Sequence, residues 1–177
     1  MHILLIMLLL LLNIKKKSWQ KIRQCLPGIT YVLFFNALYY LICRKSSFWE
    51  FQSPRANGTF LKKIHFFIVM PLLVMAFLAT FPKKLFEQAI YIGKWVGIST
   101  FIEWAGIKFK AIVHQKGWTV GWSAMIYFFM YMFSAAVHKR PLLVMTLSFF
   151  MTAGMLYVFQ VPINKSVIFR KPFTSIR

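Results

Sequence analysis

Apolar residues fall into six runs separated by short basic or turn-forming stretches, at about 1–14, 28–43, 64–80, 85–107, 119–137 and 141–159. None shows the ten-residue alternating segments of a membrane β-barrel. Several runs approach the ~20 residues a helix needs to cross a bilayer. In lipid every backbone polar group must be satisfied internally, which a helix achieves and an open strand does not. The pattern predicts an all-α polytopic transmembrane helix bundle in a single domain, 1–177. It has six helices, or five if 1–14 does not fully span.

The first run, MHILLIMLLLLLNI, is followed by Lys15, Lys16 and Lys17. A secretory signal would carry its charge before the apolar run and a small-residue cleavage site after it, so retention is expected. Fourteen residues make about 21 Å of helix, short of a ~30 Å core. The segment is read as a short or tilted span extending into Trp19, with an embedded anchor as the alternative. Residues 15–25 form a basic connector, and Pro27 and Gly28 punctuate the start of the second helix. Asn36, in mid-span, is expected to hydrogen-bond a neighbouring helix.

Residues 44–63 are the longest connector. Phe48, Trp49 and Phe51 around Glu50 suggest a segment lying on the membrane interface, and Ser53, Pro54, Asn57 and Gly58 supply turn chemistry. Asn57-Gly58-Thr59 also matches a glycosylation acceptor, a weak pattern at that length. Pro71 removes a donor in mid-helix and should kink it. Ser134, Ala135 and Ala136 are small enough for close helix approach. The basic tail, 160–177, is expected on the surface.

One polar residue changes this picture. Glu103 lies inside the apolar run 85–107, in a chain with only three acidic residues. A charged side chain at a helix centre in hydrocarbon costs roughly 2.5–3.5 kcal/mol on insertion scales, so such groups face the bundle interior, a partner or water. At about 100° per residue, Gln88, Trp95, Ser99, Glu103, Gly106 and Lys110 share one stripe. Lys94 points away from Glu103 and lies near the face of Glu87. Glu103 precedes Lys108 by roughly 7–8 Å of helix, inside the apolar zone but off its centre. Two readings stand: a site residue, or a carboxylate that reaches the interface or pairs with Lys110 or another helix.

Composition narrows the class. Hydrophobic residues make up 59% of the 177, and 22 Lys and Arg give a net charge of +19. In a soluble chain that charge would suggest nucleic acid. Here the basic residues flank apolar runs and no nucleic-acid motif accompanies them. Attraction to anionic headgroups and a topogenic role fit better. Cys25 and Cys43 sit near opposite ends of one predicted helix, too far apart for a disulfide. No metal-ligand spacing is present, and no cofactor is expected. The recurring methionines, among them Met130 and Met132, suit adaptable packing better than soft-metal binding.

Helix parity brings distant residues to one end. If the runs near 64–80, 89–107 and 119–137 all span, the start of the third helix, the end of the fourth and the start of the fifth share a membrane face. That face collects His65, Glu103, His114, Trp118, Trp122 and Ser123, with Ser99 a turn deeper and Trp49 and Glu50 alongside. Three titratable residues with an aromatic rim suit a ligand or proton site. Interfacial anchoring by Trp and His is the alternative. Basic residues divide too evenly between the two faces to orient the chain.

Trp49-Glu50, Pro71, Pro82, Glu103, Gly117-Trp118, Trp122-Ser123 and His138-Lys139-Arg140-Pro141-Leu142-Leu143 occur in an order that resembles a family of small multi-spanning proteins from spore-forming Bacillota. The resemblance covers roughly residues 15–160, with Leu26-Pro27-Gly28 departing from the aromatic expected before the proline. It implies a bacterial inner membrane and a bundle of five or six helices, and it implies no reaction. HExxH, GxSxG and P-loop motifs are missing, and with no Asp a carboxylate-rich metal centre would rest on three glutamates. The sequence-based expectation is a non-enzymatic structural or interaction component of the membrane, with a membrane protein partner or homo-oligomer. A small transporter or channel using Glu103 as a proton- or cation-linked group is the alternative.

Overall fold

The computed structural model describes residues 2–43, 48–52 and 57–160. They form an all-α bundle of six helices with one small sheet at its mouth. In chain order these are α1 (His2–Lys15), α2 (Ile22–Ile42), β1 (Trp49–Phe51), α3 (Gly58–Leu78), α4 (Leu85–Lys108), β2 (Ile112–His114), α5 (Val120–Ala136) and α6 (Pro141–Val158). Three helical stretches are long and apolar enough to cross a membrane: Ser18–Ile42, Gly58–Leu78 and Pro141–Val158.

Many large apolar side chains lie on the surface. Leu142 is 83% exposed and Phe150 73%, while Asn13, Ser18, Ser99, Glu103, Ser123, Ser134 and Ser148 are buried. Water-soluble domains seldom expose apolar patches of that extent. Between the inward faces, Phe77 and Tyr131 are fully buried, ring centroids 4.6 Å apart. Gly28 marks the tightest crossing: a Cβ there would lie 2.5 Å from Leu78 Cδ1 and 2.6 Å from Ser134 O. The missing Cβ of Gly28 thus lets α2 approach the backbone of α5 at Ser134.

Asn13 Nδ2 donates to Leu72 O at 2.9 Å, and Lys16 Nζ to Ala76 O at 3.1 Å. The C-terminal ends of α1 and α3 therefore lie together. The opposite end of the bundle gathers the ends of α2, α4 and α6 with the start of α5.

Two helix starts differ from expectation. The second helix begins at Ile22, not near 28, and Pro27 lies inside it. The N–H that Pro27 lacks would have bonded the carbonyl of exposed Arg23 in the first turn, so the carbonyl left without that bond lies at an exposed position near the helix start. The third begins at Gly58, not near 64, because Asn57 caps it: its side chain accepts from Thr59 N at 3.0 Å. Asn57-Gly58-Thr59 is thus a helix start. Inside α3, His65–Val69 is a π-helical turn. Pro71 would clash with the carbonyl of Phe67, four residues back, and the widened turn relieves that crowding.

Phe48 and Phe51, read as interfacial, are buried at the mouth of the bundle. Strand β1 pairs antiparallel with β2, Trp49 opposite His114, Glu50 opposite Val113 and Phe51 opposite Ile112. Asn36 does not bond a neighbouring helix as expected: its Oδ1 is buried without a hydrogen-bond partner. Glu87 lies 3.5 Å from Lys84, while Lys94 is exposed. The basic tail beyond Gln160 lies outside the described residues.

Candidate functional site

Glu103 stands near the C-terminal end of α4, 7% exposed, where it faces α5 and the sheet. A carboxylate there gains nothing from its own helix, whose C-terminus carries partial negative charge. Its partners come from two other elements. Ser123, in the first turn of α5, donates to Oε1 at 2.5 Å. Tyr127, one turn further along the same face, donates to Oε2 at 2.6 Å. His114 Nε2, held at the end of β2, lies 2.8 Å from Oε1. The Lys110 pairing considered from sequence is replaced by His114.

Hydrogen-bond polarity follows from donor inventory. An indole N–H can only donate, and Trp118 Nε1 contacts Ser123 Oγ at 2.8 Å. Ser123 therefore accepts from Trp118 and passes its own proton to Glu103. Tyr127 and a His114 protonated on Nε2 donate likewise. Three protons point at two oxygens, which suits the anion; such charge-assisted bonds are the strong ones.

The sheet sets the height of His114. Gln115 N donates to Phe48 O at 2.7 Å and Gln52 N to Ala111 O at 2.9 Å, extending the pairing at both ends. Lys110, Lys116 and Gly117 turn the chain with φ of 54°, 55° and 72°. Above the carboxylate an aromatic cap closes the mouth. Phe48 lies 4.8 Å from both Trp118 and Phe159, and Tyr39 stacks on Trp49 at 4.9 Å. These are favourable ring separations. Trp122 packs on Phe159 at 5.2 Å.

Beneath the cap is a cavity of about 240 Å³. Its walls are mostly apolar, with Leu9, Phe35, Val69 and Met130 among them, and Glu103, Ser123, Tyr127 and Asn36 also face it. Deeper polar groups are paired internally. Ser148 Oγ donates to Val144 O at 2.7 Å, which leaves Tyr31 to donate to Ser148 at 2.7 Å. Ser99 bonds Tyr131 at 2.7 Å rather than the carboxylate. His65 lines the same cavity and packs on Phe51, ring centroids 5.0 Å apart.

Of the residues proposed from sequence, the structure thus brings Glu103, His114, Ser123 and Trp118 into one hydrogen-bonded cluster. It sets Trp122 in the cap, His65 in the cavity wall and Ser99 on Tyr131. Tyr127 was missed, although its spacing of four from Ser123 puts both on one helix face. Cys43, just beyond α2, also lines the cavity; burial pushes its thiol up to about 11, with Lys116 pulling the other way. Cys25 and Cys43 are both free thiols. Among the described residues no three His, Cys, Asp or Glu side chains gather as a metal-ligand set.

Compared with protein-family models, with curated proteins and with solved structures, the chain matches none.

Proposed function

We propose that this chain is a multi-pass membrane protein, without catalytic chemistry of its own, that holds a small amphiphilic ligand in the cavity beneath the Glu103 mouth. One observation carries this: a buried carboxylate, held by donors from two other elements, faces an apolar cavity. Ligand sites combine a mostly apolar wall with a few placed polar groups in this way, commonly in about 300–1,000 Å³. The cavity lies just below that range, so the ligand is short. Location in a bacterial inner membrane rests on the family resemblance, and contact with anionic lipid rests on the basic residues flanking the helices. A membrane protein partner or a second copy remains part of the proposal for the exposed apolar faces.

The transport reading is second. It is favoured by the position of Glu103 at one mouth. Against it, Ala76, Phe77 and Tyr131, all fully buried, fill the interior toward the opposite end. Glu103→Gln in proteoliposomes separates the two: lost flux with retained folding supports transport, and unchanged flux removes it.

Ligand binding is tested by thermal unfolding of the detergent-purified protein, since a ligand that binds the folded state raises its unfolding temperature by mass action. Eight-carbon amphiphiles should produce a saturable rise, and Ile126→Trp, which fills the cavity, should abolish it. No saturable rise with any of them would end the proposal.

A further inference from the structure

The cavity's unused hydrogen-bonding capacity specifies the ligand's polar end. Proton by proton, the donors around Glu103 are committed. Trp118 serves Ser123, and Ser123 and Tyr127 serve the carboxylate. Tyr31 serves Ser148, Ser148 serves Val144 O, and Thr152 Oγ1 serves Ser148 O. The carboxylate itself has acceptor capacity to spare. A carboxylate offers about four lone-pair positions, and Glu103 receives three bonds, only one of them on Oε2. Asn36 lines the same cavity, and its Oδ1 is buried without a partner.

The basic side chain bonded to Glu103 is His114, at 2.8 Å, while Lys62 pairs with Glu50 and Lys84 with Glu87. A buried carboxylate of this kind favours a cation close by. A second carboxylate placed beside it would be repelled.

Resting on the ligand-binding proposal above, we infer that the cavity selects a short alkyl chain ending in a primary ammonium, with an N–H directed to Glu103 Oε2. The apolar walls take the chain. An uncharged alcohol supplies one donor without charge and binds less well, and a carboxylate head is excluded.

Three probes of equal chain length decide it: n-octylamine, n-octanol and octanoate. Each is titrated against the unaltered protein in a non-ionic detergent near neutral pH, with the unfolding temperature as readout. The amine should bind about tenfold tighter than the alcohol, and octanoate should give no saturable shift. Glu103→Gln should bring amine and alcohol within about twofold of each other. Ile126→Trp, which touches none of the bonds to Glu103, should abolish the binding of amine and alcohol alike, and it serves if Glu103→Gln does not fold. Equal binding of all three heads, or a preference for octanoate, overturns the ammonium assignment and leaves the ligand cavity standing. Failure of all three overturns both. An amine preference that survives in folded Glu103→Gln overturns the role given to the carboxylate.

Discussion

Each end of the bundle holds a charged side chain, and the two are held by different means. At one end Lys16 Nζ lies 3.1 Å from Ala76 O and 3.1 Å from Thr80 Oγ1, and 4.9 Å above the Trp95 ring. Lys21 Nζ donates to Ala79 O at 2.8 Å. Ala76 O and Ala79 O are carbonyls of the last turn of α3 and of the residue that follows it, left over by any helix end, and the helix dipole favours a cation there. Lys16 is half-buried and its contacts amount to a cap that pins α1 to α3. At the other end Glu103 sits where its own helix dipole is unfavourable, so nothing generic holds it. Ser123, Tyr127 and His114 have to be brought to it by a helix face and a three-residue strand. The difference teaches that charge at a helix end is not by itself evidence of a site; charge that requires dedicated partners and faces a cavity is.

Breaking each end should therefore have unequal consequences. Glu103→Ala strands the buried Ser123 donor and the half-buried Tyr127 donor, each worth about 1–3 kcal/mol when unsatisfied. A loss of about 3 kcal/mol is expected in reversible unfolding in detergent. Tyr127→Phe removes a single bond to a charged acceptor and should cost about 1.5–3 kcal/mol in the same assay. Val113→Pro attacks the scaffold of His114. Bonds at the 48/115 and 52/111 pairs make 50/113 a hydrogen-bonded pair too, since such pairs alternate along an antiparallel ladder. A loss of about 1 kcal/mol is expected for that bond, with faster hydrogen exchange at the Gln52 and Gln115 amides. Lys16→Met at the opposite end should cost about 1 kcal/mol or less, because half-exposed charges gain little. If Lys16→Met proved as costly as Glu103→Ala, the contrast between cap and site would disappear.

The smallest effect concerns reactivity. Thiolate is the nucleophile, and burial of Cys43 holds its thiol protonated up to about 11. Alkylation of Cys43 at pH 8 should be slow and should quicken as pH rises toward that value. A bound ligand should slow it further, since Cys43 lines the cavity. Rapid alkylation at pH 8, indifferent to n-octylamine, would count against both burial and occupancy.

The helices were legible because bilayer crossing sets a length and a composition that few other demands imitate. Glu103 stood out for the same reason, a lone carboxylate in an apolar run. Helix starts were less legible. Pro27 and Gly58 look like punctuation, yet the first lies in the second turn of its helix and the second follows an asparagine cap. Trp49–Phe51 and Ile112–His114 are too short to declare themselves as strands, and their pairing depends on positive-φ turns at Lys110 and Lys116. That pairing is what carries His114 to the carboxylate. Asn36 shows the converse: a polar residue in mid-helix suggested a helix–helix bond, and only the packing reveals that it faces a cavity instead.

The most direct test is the unfolding temperature as a function of n-octylamine concentration, taken in parallel on the unaltered protein, Glu103→Gln and Lys16→Met. A saturating rise is expected in the unaltered protein and in Lys16→Met, reduced to the level of n-octanol in Glu103→Gln. The same rise in all three, or its loss in Lys16→Met alone, would contradict the assignment of the Glu103 end as the binding site.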